Sequence, residues 1–155
     1  MRVTYLVDRP TEDVAQVADW FMEQWGPDSV EQWLPLVGGI LQRSTLPTTF
    51  VAVEDERLLG TASLVSAGPG GMHWSPWLAS LYVRPEARRQ GVAAALLKRV
   101  ELEARLLGFP RLYFAAHGPA GPYESIGWQW VGCTRTAHGL ANVLTLDLAA
   151  REQAA

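Results

Sequence analysis

The chain has 155 residues, 48% of them hydrophobic and 19% charged, with a formal net charge of -3. That is room for one domain with a real core rather than two, in a composition typical of folded rather than disordered chains. The mildly acidic balance gives no support to general nucleic-acid binding. One cysteine, Cys133, excludes an intramolecular disulfide, and with histidines only at 73, 117 and 138 a zinc cluster has little support, so no metal is expected.

The opening residues lack the apolar run of a secretory signal, and no stretch approaches the roughly 18 apolar residues of a membrane span. The expected compartment is the cytoplasm, with no membrane partner. Residues 3–7 (VTYLV) read as a strand, stopped by Asp8, Arg9 and Pro10. Thr11 then reads as a helix N-cap, with Glu12 and Asp13 in the first turn and Val14, Val17, Ala18, Phe21 and Trp25 at helical spacing, ended by Gly26 and Pro27. A second helix is expected over about 29–43, interrupted by Pro35 and the Gly38–Gly39 pair.

Residues 50–53 and 58–65 read as a hairpin around the polar EDER turn. A Gly/Pro/Ser-rich loop, 66–76, leads to a strand at 77–83, which Pro85 ends. The strongest helical pattern follows at about 88–107. Val92, Leu96, Val100, Ala104 and Leu107 form its apolar stripe, and Lys98, Arg99, Glu101 and Arg105 are expected to face away. A strand at 111–116, a short helix near 120–126 and a pair of strands at 128–133 and 142–148 complete the order, with a polar loop at 134–141 and a frayed tail from 149.

The segment 81–97, LYVRPEARRQGVAAALL, carries the chemistry. A strand ends and a helix begins through Arg88-Arg89-Gln90-Gly91-Val92-Ala93. Such a turn presents unpaired backbone N–H groups and the positive end of the helix dipole, which together attract a phosphate. Gly91 and Ala93 are small enough for a ligand to approach the backbone, and Arg88 and Arg89 add charge beside it. These residues resemble the acyl-CoA-binding motif of the GNAT acetyltransferases, R/Q-x-x-G-x-G/A, matched by Arg88, Gly91 and Ala93. Residues 123–128, YESIGW, resemble the same family's Y-E-x-x-G-F signature, with Trp128 in place of the commoner Phe.

The resemblance spans about residues 3–148, read as a single domain with 149–155 as tail, and it implies an α/β (α+β) fold. Its mixed central sheet of about seven strands would be flanked by about four helices, with a V-shaped cleft between the 77–83 and 111–116 strands. By the same resemblance acetyl-CoA is the acyl donor, the amides of Gln90 to Ala94 hold its pyrophosphate, and the main chain of Leu81, Tyr82 and Val83 holds its pantetheine arm. Tyr123 would protonate the departing thiolate. The implied reaction is direct attack of a primary amine, more readily a small molecule than a protein, on the thioester. A catalytically weak acyl-CoA-binding or regulatory module is the alternative, and self-association into a homodimer is left open.

One departure matters. Relatives often carry a general-base carboxylate before the LYV-like run, where this chain reads Trp77-Leu78-Ala79-Ser80. Deprotonation through ordered water, through His73 or His117, or none at all for an amine that arrives neutral all stay open; His117 is the better placed of the two histidines, although a solvated loop histidine is the ordinary reading of each. On the acceptor side, which the resemblance lines with the first two helices and the 134–141 loop, Trp20, Trp25 and Trp33 read first as core, and Glu23, Asp28 and Glu31 as helix-end charges within reach of a cationic amine. Met72, His73 and Trp74 border the cleft strand as a candidate lid. Cys133 reads as a packed strand residue rather than a nucleophile.

Overall fold

The computed structural model describes residues 1–27, 43 and 45–149. The helix expected near 29–43 (Arg43 apart), Trp33, Asp28, Glu31 and the tail beyond 149 lie outside the described residues. Seven strands are described: β1 (Arg2–Tyr5), β2 (Thr48–Glu54), β3 (Arg57–Val65), β4 (Trp77–Val83), β5 (Arg111–Ala116), β6 (Gln129–Thr136) and β7 (Gly139–Asp147). Three α-helices accompany them among the described residues: α1 (Thr11–Trp25), α2 (Val92–Leu106) and the single turn α3 (Gly121–Glu124). The sheet order is β1-β2-β3-β4-β5-β7-β6. The β4–β5 pair is parallel and the other neighbours are antiparallel. This is the mixed α/β architecture expected from the sequence.

The hairpin reading of 54–57 holds, with Asp55 and Glu56 both at positive φ, the geometry a two-residue turn needs to match the twist of its strands. α1 buries Val17, Trp20 and Phe21 with Leu6, Val51, Val53 and Leu58 on one side of the sheet. Trp20 is therefore core, as read. Its N-cap position is taken by Pro10, not Thr11, and no side chain caps the helix. Arg9 instead reaches over the first turn to Asp13, Nε to Oδ2 at 2.8 Å.

α2 covers the other face. Val92, Leu96, Val100 and Ala104 are buried against Phe50, Ala62, Leu78 and Leu112. Gly60 lets the helix and β4 come this close: a Cβ there would sit 2.6 Å from the Tyr82 carbonyl oxygen and 3.2 Å from Leu96 Cδ1. The polar face is less simple than periodicity predicts. Glu101, expected to face away, is buried, as is Glu103. Glu103 Oε1 accepts from the Tyr5 hydroxyl at 2.9 Å and pairs with Arg99 Nη2 at 2.9 Å, while the Arg99 guanidinium lies 4.6 Å from the Phe50 ring centroid. Because α2 leans over β1 and β2, Glu103 and Arg99 are roofed by Tyr5 and Phe50 and persist by pairing, while Glu101 lies beside Ser125 to Trp128 and pairs with Arg105.

Two boundaries move. The helix starts at Val92 rather than near 88, since Pro85–Ala87 form a 3-10 turn and residues 88–91 a loop. The expected loop at 134–141 is mostly ladder, because β6 and β7 run on to a two-residue turn at Ala137 and His138. Cys133 lies in β6 as expected, but on an edge strand, where it is exposed rather than packed.

Candidate active site

β4 and β5 run side by side only at their start, Trp77 opposite Tyr113 and Leu78 opposite Phe114. Past that point β4 bends away. Between Thr61 and Ser63 of β3 the register shifts, leaving Ser80 and Leu81 opposite Ala62 alone. Ser80 adopts φ 55°, a conformation a non-glycine residue rarely takes, and this bulge turns the strand out of the plane. The gap that opens is a cleft of about 790 Å³. Its lining includes Ala79, Ser80 and Leu81 from β4, Ala115 and Ala116 from β5, Tyr123, His117, and Arg135 to His138 from the β6–β7 end. The small Ala side chains on both edges leave the strand backbones accessible.

Leu81 and Tyr123 are thus brought to one cavity. Tyr82 and Val83, also expected to bind, are half-buried and pair with β3 through Thr61 and Gly60. The Tyr82 ring packs 5.1 Å from Trp20, on the α1 side of the sheet. Any role Tyr82 has toward a ligand therefore falls to its main chain.

The turn after β4 is built around two left-handed residues, Arg89 at φ 63° and Gly91 at φ 82°. The first amide bonded back into α2 is that of Ala95, to the Gly91 carbonyl at 3.1 Å. The amides of Arg89, Gln90, Gly91, Val92, Ala93 and Ala94 precede it, at the positive end of a 15-residue helix. Arg88 and Gln90 shape this turn with their side chains. Arg88 Nε donates to the Val83 carbonyl at 2.9 Å, and Gln90 Nε2 to the Glu86 carbonyl at 3.1 Å. Arg88 is thus partly engaged in holding the loop to the strand end, while Arg89 is exposed. The Val92 side chain points into the core, so its amide alone faces the turn.

Tyr123 sits in α3, its ring edge-on to Phe114 at 5.3 Å. Burial raises its phenol above the ordinary value of 10.0, which keeps it protonated at neutral pH. Gly127 at φ 105° makes the exit from α3, and Trp128 is buried beside Phe114.

His117 lies at the cleft, its Nε2 2.7 Å from Thr136 Oγ1. His73 is exposed and outside the cleft lining. Trp25 lines the cleft half-buried, so it is wall as well as core, and Glu23 is exposed on α1 outside the lining. The candidate lid residue Trp74 is tied down: its ring stacks on Tyr113 at 5.1 Å, and its carbonyl accepts from Trp77 Nε1 at 2.6 Å. Arg135, Thr136 and His138 were not singled out individually from the sequence, although they fall in the 134–141 stretch that the resemblance puts on the acceptor side. They reach the cleft through the β6–β7 hairpin, and no local motif marks them. Among the described residues the cleft lining contains no carboxylate, and no group of three or more His, Cys, Asp or Glu stands ready for a metal. No helix among the described residues is long and apolar enough to cross a membrane.

The sequence pattern of the acetyltransferase (GNAT) family matches residues 14–122, more than half of the chain. Among solved structures, an aminoglycoside 6'-N-acetyltransferase complexed with coenzyme A superposes with a TM-score of 0.74 at 16% identity, over 96% of this chain and 97% of that one. A putative acetyltransferase from Exiguobacterium sp. 255-15 gives 0.66 at 23% identity, over 99% of each chain. The ribosomal-protein-S18-alanine N-acetyltransferase from Escherichia coli gives 0.67 at 19% identity, over 95% and 93%. At these identities the likeness is one of fold. No curated protein matches the chain.

Proposed function

This chain belongs to the GNAT acetyltransferase family, and from that premise we propose that it transfers an acetyl group from acetyl-CoA to the primary amine of a small molecule, by direct attack, within one domain spanning about 1–148. The observation that carries this reading is the join between the splayed strands and the turn. Unpaired amides 89–94 lie beyond one end of β4, and an open strand edge leads from there to Tyr123. The donor's diphosphate fits the amides of Gln90 to Ala94, and its extended pantetheine arm fits the main chain of Leu81 to Val83. Its thioester then lies in the cleft with Tyr123, which supplies a proton to the departing thiolate. The structural neighbour solved with coenzyme A supports the donor assignment by fold.

The acceptor end favours particular amines. Among the described residues its lining has Arg135, His117 and His138 and no carboxylate. Within that described lining a polycation such as an aminoglycoside finds no counter-charge, whereas an amine with one positive charge, or one that also carries a carboxylate, does not meet that penalty.

Thermal unfolding with and without acetyl-CoA tests the donor assignment. At about 100 times its dissociation constant the ligand stabilises the native state by roughly 2.7 kcal/mol. Release of CoA across an amine panel then tests turnover. Stabilisation without release from any amine would favour the rival reading, an acyl-CoA-binding module with little turnover, which the lack of a carboxylate among the described lining residues motivates.

A further inference from the structure

We propose that His117 takes the proton from the attacking amine, and that Thr136 holds it in the neutral tautomer able to do so. This rests on the acetyl-transfer reading above. Once an amine attacks a thioester its nitrogen must shed a proton, and the described lining offers no carboxylate to receive it. The titratable or charged side chains that line the cleft among the described residues are Tyr123 on α3, His117 after β5, and Arg135 and His138 at the β6–β7 turn. Arg135 carries no lone pair to accept a proton. Tyr123, kept protonated by burial, is a donor. The two imidazoles remain, their centroids 6.3 Å apart.

Hydrogen-bond accounting fixes the tautomer of His117. The Thr136 hydroxyl has one proton and can accept at its oxygen. It lies 2.9 Å from the Gly139 carbonyl, which can only accept, so the hydroxyl proton goes there. The same oxygen receives the backbone N–H of His138 at 3.1 Å. Its remaining contact, His117 Nε2 at 2.7 Å, is then also an accepted bond, so Nε2 carries the hydrogen. A neutral imidazole has one N–H, and the lone pair is left on Nδ1.

The step balances. The amine lone pair forms the C–N bond at the thioester carbonyl carbon, and the C–S bond breaks with its electron pair on sulfur. The nitrogen's proton passes to His117 Nδ1, and sulfur takes the Tyr123 hydroxyl proton. One amide and one thiol result, and solvent returns the imidazolium proton to the phenolate.

The experiment combines a pH profile with imidazole NMR. For the best acceptor in the panel, His117→Gln lowers kcat about 10²–10⁴-fold, loses the acid limb of the pH profile, and keeps wild-type acetyl-CoA stabilisation. Proton–nitrogen correlation spectra of the ligand-free wild type show neutral His117 as Nε2–H with a bare Nδ1. In Thr136→Val the two tautomers mix and kcat falls with KM unchanged. Wild-type kcat in His117→Gln, or an Nδ1–H resonance in the wild type, overturns the proposal. An unchanged tautomer in Thr136→Val overturns the positioning role of Thr136. If no amine is acetylated while acetyl-CoA still stabilises the protein, the base role falls together with the acetyl-transfer reading. An Nδ1–H resonance in an active enzyme removes the base role alone.

Discussion

The proposed donor and acceptor sites are built from different materials. At the proposed donor site, outside the described cleft lining, the groups on offer are backbone amides, 89–94, ordered by two left-handed residues and by the folded-back side chains of Arg88 and Gln90. At the proposed acceptor site, inside the cleft, they are side chains, Tyr123, His117, Thr136 and Arg135, delivered by three separate stretches of chain. A backbone cradle needs only small residues and a fixed turn, so it tolerates change at most positions. A side-chain constellation depends on each identity. Substitutions at the donor end should therefore act on affinity, and those at the acceptor end on rate.

The largest effect expected is at Tyr123. Tyr123→Phe keeps the ring against Phe114 and removes the proton. We expect kcat to fall about 10²–10⁴-fold with acetyl-CoA stabilisation intact, as steady-state kinetics beside a melting series would show. Weaker acetyl-CoA binding in this variant would break the division between the ends.

A change beneath both ends should not discriminate between them. Glu103→Leu leaves the Arg99 guanidinium without its carboxylate under α2, and denaturant unfolding should show a loss of about 3 kcal/mol with kcat and KM of the remaining folded protein close to wild type.

Next comes the donor end. Ala94→Glu puts a carboxylate in the first turn of α2, where the dipole favours it, so the fold is retained while the anion site is contested. Loss of charge-assisted hydrogen bonds worth about 1.5–3 kcal/mol should weaken acetyl-CoA binding roughly 10–100-fold, with kcat at saturation unchanged. A fall in kcat instead would join the two ends.

The smallest effect concerns alkali. The folded state holds the Tyr123 proton more tightly than the unfolded chain does. Stability from this group is therefore fully present below about pH 10 and is lost as pH rises through the raised folded value. In Tyr123→Phe the alkaline decline in melting temperature should be shallower than in the wild type.

The same contrast explains what could be read in advance. The donor turn is a local motif. Arg88, Gly91 and Ala93 lie within six residues, and the strand before them and the stripe of Val92, Leu96, Val100 and Ala104 after them are periodic signals. The seven strands were legible because alternation and Gly/Pro punctuation are local as well. The acceptor end was legible only in part: Tyr123, His117 and the 134–141 stretch were named through the family resemblance, but not which side chains of that stretch line the cleft. Arg135, Thr136 and His138 reach the cleft through the pairing of β6 with β7 and of β7 with β5, and sequence spacing does not encode that placement. Glu101 was misjudged for a related reason: helical periodicity gives a face, but not what leans over it. The bulge at Ser80 had no signal, since a serine rarely adopts positive φ and nothing in WLASLYV marks one.

The brief meeting of β4 and β5 has a mechanical consequence. Each side of that junction is a run of antiparallel hydrogen-bonded neighbours, β1 to β4 and β5 with β7 and β6. Across it only Trp77 and Leu78 face Tyr113 and Phe114. Tension across the sheet concentrates at this seam, and an occupant bonded along the open edge of β4 while packed against β5 acts as a splint. The protein should be stiffest in the moment when it holds its substrate, and amide exchange at the two strands should slow most where the sheet itself supplies no rung.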